Sequence, residues 1–249
     1  MRIAVFSDIH GNCIAFDAML ADLKQHPVDR MVCLGDAIQG GPQPREVVSR
    51  LRELACPVVM GNSDAWLLTG TETGSEPITP ERLRKIRAVR EWSLAQLSTD
   101  DKTFIEKFQP TATIEAQDGR RLLCFHGSPE DFDDVILPTT PEEEFQRYLA
   151  KYASNVLAGG HTHIQHIRRI VESLYFNPGS VGFAYSHAQG EGAFRADPWA
   201  EYAILTLEPA ATSLEFRRVP FDADRLVKIY IESGRPYAEQ DAAQYKSRT

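Results

Sequence analysis

The chain has 249 residues, enough to bury one sizeable core, and its composition of 43% hydrophobic and 25% charged residues is that of an ordinary globular protein. A formal charge of −8 argues against a general nucleic-acid backbone binder, which normally presents a basic face. No apolar run is long enough to span a bilayer, and strand-forming residues begin at Arg2, which leaves no room for a secretory signal. We therefore expect a cytoplasmic protein without membrane contact.

The four cysteines occur singly, without a C-x-x-C pair, so the sequence suggests neither a zinc ribbon nor a disulfide framework. We expect small buried thiols at Cys13, Cys33, Cys56 and Cys124. Unpaired thiols suit a reducing compartment, which agrees with the expected cytoplasmic location.

Short apolar runs alternate with amphipathic segments in the N-terminal part of the chain. Strands are predicted at residues 3–6, 31–34 and 57–60, where each apolar run ends at a short polar sequence. Helices are predicted after Asn12, which can cap a helix, and from Pro44, which suits the first helical position. The strands thus deliver polar residues at their carboxyl ends, where open α/β sheets place their sites.

Residues 64–108 have a helical pattern that is interrupted at residues 69–80 by Gly, Ser, Thr and Pro. We expect this segment to form a helical cap over the polar strand ends. Part of the segment is basic and contains Arg82, Arg84, Lys85, Arg87 and Arg90. A solvated helix face is the expected role of these charges, and phosphate binding is the alternative.

Beyond residue 110 the pattern becomes mainly β. Strands are predicted at residues 111–116, 121–125, 155–158, 165–171, 174–176, 201–207 and 213–219. One helix is predicted at residues 141–152, and a last one begins after Asp222. No linker-like tract divides the chain, so residues 1–236 are expected to form a single domain, followed by a polar tail at residues 237–249 that is mobile or bound by a partner.

Seven residues that can bind a divalent metal follow predicted strand ends or lie in short polar loops: Asp8, His10, Asp36, Asn62, His126, His161 and His163. Their oxygen and imidazole donors suit manganese, iron, zinc or nickel. Each residue also has a structural interpretation, because aspartates cap strand ends, Asn62 suits a turn, and two histidines two residues apart share a strand face. The complete set favours a metal site over independent structural roles.

The order of these motifs, Asp-x-His, Gly-Asp, Gly-Asn, His-Gly and Gly-His-x-His, resembles that of the calcineurin-like metallophosphoesterase superfamily. The resemblance covers nearly all of the chain and includes GDAIQGGP at residues 35–42, RRLLCFHGSP at residues 120–129 and NPGSVG at residues 177–182. The last two runs look like those of its small bacterial and archaeal phosphodiesterase-like branch. The resemblance implies an α/β fold of four layers, α-β-β-α, in which two mixed sheets lie between helices and a helical cap is inserted.

The resemblance also implies a ligand set for two metals. One metal would bind Asp8, His10 and His163. The other would bind Asn62, His126 and His161, and Asp36 would bridge the two.

In this family the expected nucleophile is a hydroxide that bridges the metals and attacks phosphorus without a covalent enzyme intermediate. Catalytic roles would then fall on Asp36, Asn62, Asp64 and His126. Manganese is the expected metal, with nickel, iron or zinc as alternatives.

One departure from the family pattern concerns the residue after Asn62. Many phosphomonoesterase members have a His there that orients the phosphate or protonates the leaving group, whereas this chain has Ser63. General-acid help is worth ~10²–10⁴-fold, so its absence favours a diester with a good leaving group. Substrate contacts are expected from Asn62, Ser63, His187 and Arg195, whereas His166 is expected to be a surface strand histidine.

The sequence therefore predicts a metal-dependent phosphoester hydrolase, more specifically a phosphodiesterase, whose phosphoester substrate could be nucleotide-derived. Two alternatives stay open: a phosphomonoesterase that acts on nucleotides or phosphoproteins, and a catalytically weak protein-interaction scaffold of the same fold, as in a retromer subunit. That scaffold lacks the His of the first motif, whereas His10 is present here, which favours an enzyme. The sequence indicates no oligomeric state.

Overall fold

Two mixed β-sheets form the centre of the fold. The computed structural model describes residues 1–71, 79–189, 194–209 and 211–245. Its strands are β1 (Arg2–Phe6), β2 (Arg30–Cys33), β3 (Ala112–Glu115), β4 (Arg121–Cys124), β5 (Val156–Ala158), β6 (His166–Ile170), β7 (Ser173–Asn177), β8 (Trp199–Glu208) and β9 (Ala211–Pro220). The strand orders are β2-β1-β8-β9 and β3-β4-β5-β7-β6.

Helices cover both outer faces of the pair of sheets. They are α1 (Cys13–Leu23), α2 (Pro44–Leu54), α3 (Asn62–Thr69), α4 (Pro80–Gln96), α5 (Thr99–Ile105), α6 (Glu142–Leu149), α7 (Ala223–Glu232) and α8 (Ala238–Ala242). Of the described helices, none is both long enough and apolar enough to cross a membrane.

The core consists of layers that follow from the alternation of side chains along the strands. Ile3 and Val5 of β1 pack between the sheets, whereas Ala4 and Phe6 pack against α1 and α2. On the far side, Phe145 of α6 covers the second sheet. Each such fully buried aliphatic or aromatic side chain contributes about 1.5–3 kcal/mol to folding. The layer order is therefore α-β-β-α, as the resemblance implied.

The predicted helix starts near the site are confirmed. The side chain of Asn12 accepts a hydrogen bond from the N–H of Ala15 at 3.0 Å, which caps α1. Pro44 occupies the first turn of α2, where its missing N–H has no cost. Both helices begin directly after a polar loop, so their starts hold the loops that follow β1 and β2.

The third predicted strand, residues 57–60, does not form a continuous strand. Val58 and Val59 each make one isolated bridge, on opposite sides of the segment. Both side chains are buried, so the apolar run reflects burial without a hydrogen-bonded ladder. The segment still places Gly61 directly against Asp36, where an added Cβ would overlap the carboxylate.

The segment expected to be a cap is helical but only partly a cap. The predicted break at residues 69–80 falls mainly on residues 72–78, which lie outside the described residues. Leu97 and Phe108 are buried in the same core as α1 and α2, so the second half of the segment belongs to the helical layer. In the basic helix α4, Arg90 donates hydrogen bonds to the last carbonyl groups of α3, which is a structural role.

The expected C-terminal tail is folded as far as Tyr245, which corrects the prediction of a polar, mobile segment. A 3₁₀ turn (Ala243–Tyr245) follows α8 and packs with it against α7. The Tyr245 ring is buried, and its hydroxyl donates to the carbonyl oxygen of Gly182 at 2.8 Å. Asp241 accepts a hydrogen bond from Lys85 of α4 at 2.5 Å, so a charge of this segment is paired with a charge of the basic helix. That residues 1–236 form a single domain stays a prediction.

The cysteines agree with the expected free thiols. All four are unpaired, and Cys13, Cys33 and Cys124 are buried while Cys56 is half-buried. Burial raises the pKa of the Cys13 thiol to about 12, so this residue near the polar loops stays neutral.

Replacement of Tyr245 by Ala tests whether the C-terminal segment belongs to the folded core. We expect the free energy of unfolding to fall by about 3–5 kcal/mol, the usual cost of truncating a buried aromatic side chain. The control Tyr237→Ala removes a ring that is 46% exposed and should cost about 1 kcal/mol or less. Urea denaturation measures both values. Equal, small losses would show that the segment is not docked.

Candidate metal centre

The loops after β1 and β2 are joined by main-chain hydrogen bonds. The N–H of Asp8 donates to the carbonyl oxygen of Gly35, and the N–H of His10 donates to that of Asp36, each at 2.9 Å. The loop after β7 joins them, because the N–H of Gly182 donates to the carbonyl oxygen of Asp8 at 3.0 Å. Since β1 and β2 are parallel neighbours, their carboxyl ends deliver these loops to one edge of the sheet.

All seven predicted ligands come together at this edge. Six form two groups: Asp8, His10 and His163 in one, and Asp36, His126 and His161 in the other. Within each group the potential ligand atoms lie within 4.8 Å of one another. Asn62 joins the second group, because its Oδ1 lies 3.0 Å from Nε2 of His126.

The Asp36 carboxylate lies between the two groups. Its Oδ2 is 3.8 Å from Nε2 of His10, and its Oδ1 is 3.4 Å from Nε2 of His126. Ser63 holds the carboxylate, since its N–H donates to Oδ1 at 2.8 Å and its hydroxyl donates to Oδ2 at 2.7 Å. One carboxylate oxygen therefore faces each group, as a carboxylate that bridges two cations requires.

Main-chain carbonyl groups fix the orientation of three imidazole rings. The Nδ1 atoms of His10, His126 and His163 lie 2.9, 2.8 and 2.7 Å from the carbonyl oxygens of Gln39, Leu34 and Phe183. A carbonyl oxygen only accepts, so Nδ1 carries the proton, and in the neutral ring Nε2 presents its lone pair to the site. Metal-binding histidines are usually oriented by a partner of this kind.

Lone pairs converge in the first group. Nε2 of His163 lies 3.1 Å from Nε2 of His10 and 3.2 Å from Oδ1 of Asp8. Asp8 is fully buried, and its Oδ1 accepts no conventional hydrogen bond. An unsatisfied buried acceptor costs about 1–3 kcal/mol, and more when it is charged. A cation among these three atoms would remove this cost, so the residues fit a metal ion.

The backbone is strained at the same positions. Five of the seven residues have φ in the left-handed region: Asp8 (56°), His10 (47°), Asp36 (50°), His161 (69°) and His163 (56°). Such conformations cost non-glycine residues about 1–3 kcal/mol each and cluster at functional sites. The two histidines of the Gly-His-x-His motif therefore lie in a turn, and the alternative of a strand-edge pair is excluded for them.

Burial and neighbouring charges shift the pKa values of the second group. Burial alone would lower the pKa of His126, but the Asp36 carboxylate outweighs this effect and raises the pKa to about 10. Burial, reinforced by the charge of His126, lowers the pKa of His161 to about 4. Burial opposes ionisation of Asp36, yet the charge and hydrogen bond of His126 hold its pKa well below the usual range. The carboxylate thus attracts a positive charge to the position beside it.

The structure corrects the expected position of Asp64. Its carboxylate is fully buried and accepts hydrogen bonds from the N–H groups of Ala37 and Ile38 at 3.0–3.1 Å. Burial, followed by the charge of Asp36, raises the pKa of Asp64 to about 7. Because it binds the backbone directly after Asp36 and is not exposed, Asp64 positions that loop and has no access to a substrate.

The two predicted contacts in the loop after β7 have different positions. His187 is exposed, and its Nε2 lies 2.8 Å from the carbonyl oxygen of Thr162, between the two histidines of the last motif. Arg195 is directed to the C-terminal segment, where its Nη1 donates to the carbonyl oxygen of Ala243 at 2.7 Å. His187 therefore lies beside the metal centre. Arg195 contacts the C-terminal segment instead.

His166 is not the expected surface residue. It lies on β6 as predicted. His166 and Ile170 are the buried residues of this strand, so the His166 side chain lies on the buried face of the sheet. Its Nδ1 lies 2.9 Å from the carbonyl oxygen of Ile164, and its ring centre lies 5.5 Å from that of Tyr175. Burial lowers its pKa, which favours the neutral ring.

Residues that support the ligand loops were not identified from the sequence. The side-chain amide of Asn177 donates to the carbonyl oxygen of Gly160 at 2.5 Å and to the hydroxyl of Thr162 at 3.1 Å. The Ser180 hydroxyl donates to the carbonyl oxygen of Asp8 at 2.8 Å. The NPGSVG run that carries part of the resemblance therefore connects the first and last ligand loops.

Comparisons with known proteins identify the family of the chain. Residues 1–207 match the model of the calcineurin-like phosphoesterase superfamily domain. Phosphodiesterase YfcE of Escherichia coli K12 is 26% identical over 191 residues, which cover 73% of this chain and 79% of the relative. An uncharacterized protein of Methanocaldococcus jannaschii is 26% identical over 182 residues, which cover 72% of this chain and 69% of the relative.

Two solved structures share the fold along the whole chain. A metallophosphoesterase from Sphaerobacter thermophilus has 23% identity and a TM-score of 0.71, with 99% of this chain and 100% of that chain covered. A hypothetical protein from Pyrococcus horikoshii OT3 has 18% identity and a TM-score of 0.78, with 99% of both chains covered. The predicted α/β fold is thus confirmed, and the relatives agree with the small prokaryotic branch. The chain belongs to the calcineurin-like phosphoesterase superfamily.

Proposed function

We propose that the protein is a dinuclear metal-dependent phosphoester hydrolase and that its preferred substrates are phosphodiesters. The observation that carries the proposal is the position of Asp36, whose two carboxylate oxygens face two separate groups of potential ligands. Membership of the phosphoesterase superfamily supports the reaction class. The name of the relative YfcE, a phosphodiesterase, supports the finer assignment.

In this proposal each group would hold one divalent metal. Asp8, His10 and His163 would bind the first, Asn62, His126 and His161 would bind the second, and Asp36 would contribute to both. Manganese suits these donors, as do nickel, iron and zinc. Bound metals would supply a hydroxide near neutral pH and neutralise charge on the phosphate. The free thiols favour a reducing cytoplasm as the location.

The chain itself contributes orientation and proton control. The carbonyl groups behind His10, His126 and His163 lie against Nδ1 and fix each ring, so Nε2 is the atom that faces the site and would bind a metal. Ser63 and the start of α3 hold Asp36 at the shared position. Because these groups are fixed before a substrate binds, little reorganisation is needed during the reaction.

The preference for diesters rests on Ser63. Its hydroxyl donates to Asp36, so it is engaged with the carboxylate and is not directed to a leaving group. No imidazole stands at this position to protonate a poor leaving group. Diesters with good leaving groups lose least from this absence, whereas monoesters with basic leaving groups lose most.

Metal-dependent hydrolysis is tested with metal-stripped protein and paired aryl substrates. We expect bis(p-nitrophenyl) phosphate to be cleaved faster than p-nitrophenyl phosphate when manganese, nickel or zinc is restored. Magnesium should restore less activity, because it prefers oxygen ligands to imidazole. Release of p-nitrophenol measures the rate. A preference for the monoester would instead support a phosphomonoesterase. Tightly bound metal without turnover would support a scaffold.

The ligand assignment is tested with Asp36→Asn and His126→Ala. Both variants should lose bound metal, and their activity should fall more than 100-fold. Removal of a residue that only hydrogen-bonds to a metal ligand already costs roughly 10–100-fold, and these variants remove the ligands themselves. Metal content by mass spectrometry and hydrolysis of the diester are the measurements. The control His26→Ala removes a histidine that contacts Arg217 away from the site and should retain both properties. Normal metal content in either site variant would contradict the assigned ligands.

Substitution of Ser63 by His tests the origin of the diester preference. We expect hydrolysis of phenyl phosphate, whose leaving group is poor, to rise about tenfold or more, within the ~10²–10⁴-fold range of general-acid catalysis. Diester cleavage should change less. Ser63→Ala is the control, because it removes the hydrogen bond to Asp36 without adding an imidazole. If both variants behave alike, Ser63 does not set the preference.

A further inference from the structure

One side of the metal centre is lined by aromatic rings of the loop after β7. These rings, Phe183, Tyr185, His187 and Phe194, are called the aromatic wall below. The ring centre of Tyr185 lies 5.5 Å from that of His163, and the ring centre of Phe183 lies 6.2 Å from that of His10. The aromatic wall therefore begins at rings that belong to the first ligand group.

The rings of the aromatic wall order one another. Tyr185 and His187 are stacked, with ring centres 4.7 Å apart and planes inclined by 14°. Phe194 contacts Tyr185 edge to face, with ring centres 5.0 Å apart. The link between His187 and the carbonyl oxygen of Thr162 ties the stack to the turn that carries His161 and His163. Aromatic pairs of this geometry stabilise one another beyond the effect of burial, so the surface is formed before a ligand binds.

The outer part of the aromatic wall is open to solvent. Phe194 is 39% exposed, His187 is exposed, and Tyr185 is half-buried. No other phenylalanine in the described part of the chain is exposed, and five of them are fully buried: Phe6, Phe16, Phe125, Phe145 and Phe176. An exposed phenylalanine next to a polar site loses the benefit of burial, and a flat apolar ligand would restore it.

The two neighbouring surfaces differ in chemistry. The metal centre offers charge and nitrogen or oxygen donors, which suit a phosphate. The aromatic wall offers ring faces and edges, which suit a planar ring by stacking, whereas an aliphatic chain gains only from area. A ligand in which one sugar joins a phosphate to a planar ring could place the phosphate at the metal centre and the ring on the aromatic wall.

We propose that the aromatic wall is a binding subsite for a nucleobase of the phosphoester substrate, with Tyr185 and Phe194 as the residues that determine specificity. The proposal rests on the proposed function in that the phosphate of the same ligand lies at the metal centre. It goes further because it names the substrate class as nucleotide-derived.

Binding of two matched ligands to the manganese-loaded protein tests the subsite. Adenosine 5′-monophosphate and ribose 5-phosphate share the phosphate and the sugar and differ by the base. Stacking of a base on an aromatic side chain is worth about 1–3 kcal/mol, so we expect the nucleotide to bind about tenfold tighter. Isothermal titration calorimetry measures both affinities. Equal affinities, or no binding of either ligand, would overturn the subsite.

Two variants locate the effect. Phe194→Leu and Tyr185→Leu keep an apolar side chain but remove the ring, and each should reduce the affinity for the nucleotide about tenfold or to that of ribose 5-phosphate. The control Ile167→Ala removes an apolar side chain that is 50% exposed on the edge strand β6, and the tenfold difference should remain. Equal losses for both ligands in the leucine variants would show a general structural role and would contradict the proposal.

The outcome is separable from that of the proposed function. Aryl diester hydrolysis with equal affinities for the two ligands would refute the subsite and leave the hydrolase intact. Ring-dependent binding without hydrolysis of any ester would support the subsite and refute the hydrolase.

Discussion

A single buried negative charge, the carboxylate of Asp36, is the constraint on which the site depends. Burial of an unpaired charge is costly, so the chain surrounds this carboxylate with groups that compensate it. Ser63 donates two hydrogen bonds from the start of α3, and Gly61 leaves the space that a side chain would occupy. Asp64 binds the backbone beyond Asp36 and prevents the loop from relaxing. The loop after β2, Gly61 and the start of α3 are therefore arranged around one anion.

The site is locally unfavourable, and the rest of the fold makes it possible. Left-handed φ values at ligand positions, converging lone pairs and an orphan oxygen on Asp8 all favour rearrangement of the loops. Two sheets with an apolar interface and helices on both outer faces resist that rearrangement. Each ligand loop follows a packed strand segment and leads into a helix or another strand, so it cannot relax without loss of the packing at its ends. Stability and function are thus located in different parts of the chain.

The sequence predicted what depends on side-chain type and spacing, and missed what depends on the backbone. Alternating apolar runs predicted most of the strands and helices, whereas the layer order was expected from the family resemblance. The motif order singled out seven residues that the structure brings together. Residues 57–60 looked like a strand because they are apolar, but only isolated bridges form there. The carbonyl groups that orient His10 and His163 leave no trace in residue identity. Asp64 has a ligand-like side chain, yet burial makes it a support. The residues near Tyr245 are mostly polar, so the sequence did not predict that this segment packs on the core through the Tyr245 ring.

The contact between Tyr245 and Gly182 joins segments that are far apart in the sequence, and this separation bears on when the contact forms during folding. The N–H of Gly182 also donates to the carbonyl oxygen of Asp8, so the loop after the first strand and the last described turn meet at one place. Contacts between distant parts of a chain form late, because closing a long loop costs entropy before any interaction is gained. During synthesis the first ligand loop therefore leaves the ribosome long before its final support exists. Full order around Asp8 is a property of the finished chain.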